Sequence, residues 1–190
     1  MFLGRSIAAL LLLGSAHVVA ADAPVIHPAP IAYAAIDWAA PPLRTRYASP
    51  DGRGTGASHI SPLALVELLP TLQAGDRLIL VAGRYPSATV TAKGTAAHPI
   101  SIEAQHPACT SGFRLNPCSG TRFNNTSLTI KDSSYLRVHG MSFDVDLDKK
   151  ANGITILASH HLAITRNYFF QQTSTGLLIG GKASAPVSQV

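Results

Sequence analysis

Residues 134–143 and 160–169 carry their apolar side chains in the same order, and this internal register constrains the fold more than any other feature. Leu136 matches Leu162, Val138 matches Ile164 and Phe143 matches Phe169, each offset by 26 residues. A second register agrees: Asn152-Gly153-Ile154-Thr155-Ile156 matches Thr175-Gly176-Leu177-Leu178-Ile179 at an offset of 23. Similar period-two patches occur at Leu78/Leu80, around Val90, at Ile100/Ile102 and at Leu128/Ile130. Alternation of this kind marks short strands with one apolar face, separated by turn residues. A repeat of 20 to 30 residues built from strands predicts a solenoid, because one repeat cannot bury its apolar face until neighbours stack on it. A sandwich of hairpins would need two-residue turns between paired strands. Asn152-Gly153 is one such pair, but it precedes a strand start within the repeat.

Composition agrees. The 190 residues are 46% hydrophobic and 13% charged, with 15 Gly and 13 Pro. That apolar fraction excludes a disordered chain, and the scarcity of charge with abundant Gly and Pro excludes a coiled coil.

One helix is predicted, over residues 62–72. Ser61 suits the N-cap and Pro62 the first helical position. Leu65, Leu68, Leu69 and Leu72 then fall on one face. Pro70 should distort the last turn, and Gly75 supplies a stop. A short helix with so apolar a face is expected to cap the open end of the stack. Arg53-Gly54-Thr55-Gly56 reads as a Gly-rich loop and lacks the Lys-Ser/Thr ending of a phosphate loop.

Residues 1–20 read as a secretory signal, with Arg5 as the positive region, an apolar run from Ile7 to Leu13, and small residues up to Ala20. The run is shorter than the roughly 20 residues a membrane span needs. Its removal takes the formal charge from +5 to +4. The basic residues are scattered, with no stripe suited to nucleic acid. Residues 21–46 are a Pro/Ala-rich linker, leaving 47–190 as the folded domain. Cys109 and Cys118 are the two cysteines. In an exported protein such a pair is expected to close a disulfide loop, the alternative being two unpaired thiols.

Three segments carry a resemblance. They are Tyr47-Ala48-Ser49-Pro50-Asp51-Gly52, the stretch from Gln73-Ala74-Gly75-Asp76-Arg77 to Gly83-Arg84-Tyr85, and Gly94-Thr95 through Glu103-Ala104. In this order, with the apolar helix between the first two, they resemble the amino-terminal part of exported right-handed parallel β-helix proteins of the pectate lyase and alginate lyase–chondroitinase B type. The resemblance covers about residues 47–180. It implies an all-β fold, a right-handed parallel β-helix with a short N-terminal capping α-helix. It also implies an acidic polysaccharide as partner, pectate or alginate, and β-elimination as the reaction. Such proteins carry more coils than the four or five counted here, and their base and metal ligands usually lie on middle coils. The resemblance therefore implies a truncated chain, or one that assembles with another copy. A non-catalytic cell-envelope or adhesin-like β-helix, and an inactive fragment, remain open.

Lyase chemistry on a uronic acid polymer needs the carboxylate neutralised, often by Ca²⁺, and a base to take the proton from the adjacent carbon. Asp144, Asp146 and Asp148 alternate with Phe143, Val145 and Leu147, so the three carboxylates should face outward together. Hard carboxylate oxygens suit Ca²⁺. On a straight strand two of them can share an ion, and the third can join only if the chain turns. The alternative is a solvated acidic edge that deters strand pairing. Arg166 and Lys150 are the candidate catalytic bases. Arg137 and Arg166 share no register in the sequence. His160 and His161 should point to opposite faces, as neighbours on a strand do, and so should not easily ligate one metal. His139 reads as a lone, inert histidine. Asn167 is a candidate for an interior amide that bridges neighbouring repeats.

Overall fold

Alternating apolar residues need a partner surface on one side of each strand, and the chain supplies it by visiting three sheets in rotation. The computed structural model describes residues 35–105, 120–145, 149–170 and 174–180. The expected signal, most of the linker, Cys109, Cys118, Asp146 and Asp148 lie outside the described residues. Strand β1 (Arg44–Ser49) is followed by β2 (Arg53–Ser58) and β3 (Ser61–Ala64). Then come four successive triplets: β4 (Asp76–Leu80), β5 (Gly83–Arg84) and β6 (Ala88–Val90); β7 (Ile100–Ala104), β8 (Thr121–Asn124) and β9 (Leu128–Lys131); β10 (Ser134–His139), β11 (Ser142–Asp144) and β12 (Ile154–Leu157); β13 (His160–Thr165), β14 (Tyr168–Phe170) and β15 (Leu177–Gly180).

The first member of each triplet joins a seven-stranded sheet in the order β13-β10-β7-β4-β1-β3-β2, the second a four-stranded sheet β14-β11-β8-β5, and the third a four-stranded sheet β15-β12-β9-β6. Among the described residues every strand pairing is parallel except β2 with β3. The protein is thus mostly β, with parallel sheets.

The repeat registers of the sequence are lateral pairs. Leu136 lies beside Leu162 and Val138 beside Ile164, Phe143 beside Phe169, and Ile154 beside Leu177. Between the sheets lies a single apolar core containing Leu78, Leu80, Ile100, Ile102, Leu128, Ile130, Leu136, Val138, Ile154 and Ile156. At one level the core is aromatic. Tyr85, Phe123, Phe143 and Phe169 stack in succession with centroids 5.6, 5.1 and 5.3 Å apart. Burial pushes the Tyr85 phenol well above its ordinary pKa, and its hydroxyl lies 2.8 Å from the Ala48 carbonyl and 2.7 Å from that of Val81. A buried hydroxyl needs such a partner. β15 has no described strand beyond it, and its core-parity residues Leu177 and Ile179 are 36% and 46% exposed where Ile154 and Ile156 are fully buried.

The capping segment differs from expectation. Ser61–Ala64 is a strand, and the α-helix α1 is one turn, Leu65–Leu68, followed by a 3-10 turn over Leu69–Thr71. Ser61 precedes a proline, which disfavours the helical region, and so it continues extended. Pro70 has no N–H to give to the carbonyl of Val66, which ends the α-helix. The apolar face survives: Leu65, Leu68 and Leu69 are buried and Leu72 packs against the core. The Gly-rich loop is also a strand, β2, antiparallel to β3. At Gly54 a Cβ would lie 2.4 Å from the backbone carbon of Ser61, so only glycine fits there. The folded domain begins earlier than expected, since Arg44–Arg46 belongs to β1. Asp76, buried, accepts from Arg44 Nε at 2.8 Å and from the Gln73 N–H at 2.8 Å.

Among the described residues no helix is long and apolar enough to cross a membrane.

Candidate functional site

Core parity decides which side chains of the seven-stranded sheet face outward. Leu78, Ile102, Leu136 and Val138 are inside, so Arg77, Glu103, Arg137 and His139 are on the other side of the same strands. Two rows result. Arg77, Ser101, Arg137 and Ala163 are laterally paired, and Ile79, Glu103, His139 and Thr165 form the next row.

Arg77 and Arg137 both stand opposite Ser101, one strand to either side, so Glu103 is diagonal to each and within reach of long side chains. Arg77 Nε donates to Glu103 Oε2 at 2.9 Å, and Arg77 Nη2 forms an ion pair with the same oxygen at 2.7 Å. Arg137 Nη2 donates to Glu103 Oε1. The two guanidiniums cover the carboxylate, whose side chain is 8% exposed although it faces outward. Burial alone would raise the Glu103 pKa. The hydrogen bonds from Arg137, Arg77 and Ser101 outweigh it, and the pKa lies below the ordinary glutamate value. The Arg137 Nε–H is buried without a hydrogen-bond partner.

His139 lies directly opposite Glu103. Its Nδ1 is 2.9 Å from Thr165 Oγ1. Its pKa is held below 6.5, first by burial and then by the positive charge of Arg137 and more weakly of Arg166, against the opposing pull of Glu103. A neutral imidazole beside two guanidiniums is a proton acceptor next to anion-binding groups. The sequence reads His139 as a lone histidine because its lateral neighbours Thr165 and Glu103 lie 26 and 36 positions away.

Arg166 follows β13 directly, is exposed, and has a left-handed backbone with φ 52°. Its charge reaches His139, which the sequence register did not predict. Lys150 is exposed in the connection before β12, and among the described residues no contact joins it to Arg166. Asp144 lies at the end of β11. Its Oδ2 is 3.9 Å from Arg122 Nη1, and its Oδ1 is buried without a hydrogen-bond partner. Phe143 and Val145 on either side are buried, in keeping with the expected alternation. Among the described residues no group of three His, Cys, Asp or Glu side chains is placed to hold a metal ion.

Asn167 bridges two neighbouring triplets. Its Nδ2 donates to the Val138 carbonyl at 3.0 Å, and its Oδ1 accepts from the Met141 N–H at 3.0 Å. Its role is structural.

The histidine pair departs from expectation. His160 and His161 do not diverge: their Nδ1 atoms are 2.6 Å apart. The cause is the left-handed backbone of His161, φ 53°, which breaks the strand alternation at that residue.

An open groove of about 330 Å³ between Val66, Leu69, Pro70, Ser87 and Thr89 is lined by no titratable side chain. Comparisons with family models, with curated proteins and with solved structures return no match.

Proposed function

We propose that the chain is an exported right-handed parallel β-helix of the pectate lyase and alginate lyase–chondroitinase B type, and that the outward face of its long sheet binds and eliminatively cleaves an acidic polysaccharide, pectate or alginate. The carrying observation is the histidine set among guanidiniums: His139 shares β10 and its outward face with Arg137, and Arg166 directly follows the neighbouring strand β13. The rotation of the chain through three parallel sheets supports the β-helix reading. A flat face of parallel strands also suits an extended polymer.

In the proposed reaction a uronate carboxylate is neutralised by Arg166 and Arg137. With the Nδ1 proton of His139 held by Thr165 Oγ1, Nε2 carries the lone pair. Nε2 takes the proton from the carbon next to the carboxylate, the released electron pair forms the carbon–carbon double bond, and the glycosidic carbon–oxygen bond breaks. Water protonates the departing oxygen. His139 suits the base better than Arg166, whose guanidinium stays protonated at any working pH. Lys150 remains the second candidate base.

Ca²⁺ belongs to the proposal through Asp144, with Asp146 and Asp148 following it. The donor set is hard oxygen, and Asp144 Oδ1 lacks a partner, which fits a cation of this kind. When bound, Ca²⁺ supplies positive charge against a uronate carboxylate.

Elimination creates an unsaturated sugar that absorbs in the ultraviolet. The test incubates the purified chain with pectate and with alginate, with and without Ca²⁺, and follows that absorbance. A rising trace that His139→Ala reduces at least a hundredfold supports the reading. A flat trace with polymer retention in affinity electrophoresis replaces it with a non-catalytic envelope-binding β-helix. A flat trace without retention overturns the polysaccharide proposal.

A further inference from the structure

The corner where His160 and His161 meet Tyr135 has no part in the proposed reaction. Ser134 pairs with His160 and Leu136 with Leu162, so the two histidines are bracketed by a regular ladder. Yet Tyr135 and His161, laterally equivalent, are both left-handed, at φ 51° and 53°. Bulky residues in that region cost about 1–3 kcal/mol each, so the surrounding structure must hold them there. The Tyr135 ring stacks on His161 with centroids 4.5 Å apart and planes 14° apart, and meets His160 edge-on at 6.0 Å. The left-handed backbone and the stacked tyrosine accompany a close approach of the two Nδ1 atoms, 2.6 Å apart.

At 2.6 Å the two nitrogens share one proton, one donating and the other accepting. Burial first, then the charges of His161 and Lys93, holds the His160 pKa below 6.5. A metal ion that displaces the shared proton gains one lone pair from each Nδ1.

We propose that His160 Nδ1 and His161 Nδ1 form a bidentate site for a borderline divalent transition-metal ion. Cu²⁺ is preferred, then Ni²⁺ and Zn²⁺, with water completing the coordination. Imidazole suits these ions, and their affinities rise towards Cu²⁺. Two metal–nitrogen bonds of the usual length at a right angle would place the donors about 2.9 Å apart, slightly wider than here. The exposed His160 ring turns readily enough to open that gap. Ca²⁺ is not a candidate, since it takes oxygen ligands. Among the described residues Lys93 and Tyr135 also face the pair, and the Lys93 charge weakens cation binding. The site is separate from Asp144 and independent of the polysaccharide proposal.

The test titrates CuCl₂ into the purified full chain at pH 7.5 by calorimetry, with electron paramagnetic resonance reading the nitrogen ligands. The variants are His160→Gln, at an exposed position, and His161→Asn, because asparagine tolerates a left-handed backbone. His98→Gln, at an exposed histidine elsewhere, is the control. Circular dichroism checks that each variant keeps the wild-type strand content. The expected result is loss of one Cu²⁺ equivalent, or at least a tenfold weaker equivalent, in both pair variants and not in the control. The equivalent should also be lost at pH 5 and be insensitive to millimolar Ca²⁺. Unchanged stoichiometry and affinity in His160→Gln and His161→Asn overturns the site, as does displacement of the ion by Ca²⁺.

Discussion

His139 Nδ1 lies 2.9 Å from Thr165 Oγ1, joining residues 26 positions apart on the two laterally paired strands β10 and β13. That bond orients the imbalanced environment of His139, with guanidinium charge on two sides and carboxylate charge opposite.

The His139 pKa is held below 6.5 chiefly by burial and then by Arg137. Titration of the imidazole by NMR should therefore give a midpoint below that of an exposed histidine. Arg137→Gln should move the midpoint up and Glu103→Gln should move it down. On stability the sign is that of a depressed base. The stabilisation is complete above the ordinary histidine value and is lost as pH falls through the folded one, because the unfolded chain takes up the proton first. Urea midpoints at pH 7 and pH 5 should show a smaller acid loss for His139→Gln than for the wild type.

Glu103 bridges two guanidiniums from the strands on either side. Glu103→Gln should destabilise by about 1–3 kcal/mol at pH 7, the order of a charge-assisted hydrogen bond whose partners are part-exposed. The wild-type advantage is present above the ordinary carboxylate range and vanishes as pH falls through the lowered Glu103 value. Equal urea midpoints for variant and wild type at pH 7 would contradict this.

Phe123 is fully buried, stacked between Tyr85 and Phe143. Phe123→Ala should cost about 3–5 kcal/mol, the range for large-to-small changes in a packed core. Phe170, 43% exposed on the other side of its sheet, is the comparison. Phe170→Ala should move the denaturation midpoint far less.

Ser133 lies buried at the corner before β10. Its Oγ accepts from the Ala92 N–H at 3.1 Å, and its own N–H donates to Ser159 Oγ at 3.0 Å. Ser133→Ala leaves the Ala92 N–H without a partner in the interior. The expected loss is about 1–3 kcal/mol, more than for an exposed serine. Hydrogen exchange at Ala92 should accelerate along with it.

The same corner marks how far the sequence could be read. Ser133 and Ser159 are separated by the same 26 residues as Leu136 and Leu162. The serine pair was thus available as a signal, but hydrophobic periodicity alone passes over it. The aromatic stack was half legible: Phe143 and Phe169 keep the repeat offset, whereas Tyr85 and Phe123 belong to short strands without a clear alternating run. The helix was misplaced at its start because Ser61-Pro62 reads equally as an N-cap or as an extended pre-proline residue. Only the pairing of β3 with β1 decides between them.

The amino-acid sequence by itself determined which residues are lateral neighbours, because a buried ladder tolerates only apolar side chains at core parity and so writes its spacing into the chain. It also indicated that Leu65, Leu68, Leu69 and Leu72 share one apolar face, and these leucines pack into the core. Tertiary structure alone decided the chemistry on the outside. Outward positions are free of the core constraint, so Arg77, Glu103 and Arg137 meet across unequal separations that leave no period. Left-handed backbone at Tyr135, His161 and Arg166 is set by how one corner lies over the next, and it turns adjacent histidines towards each other where strand alternation would part them.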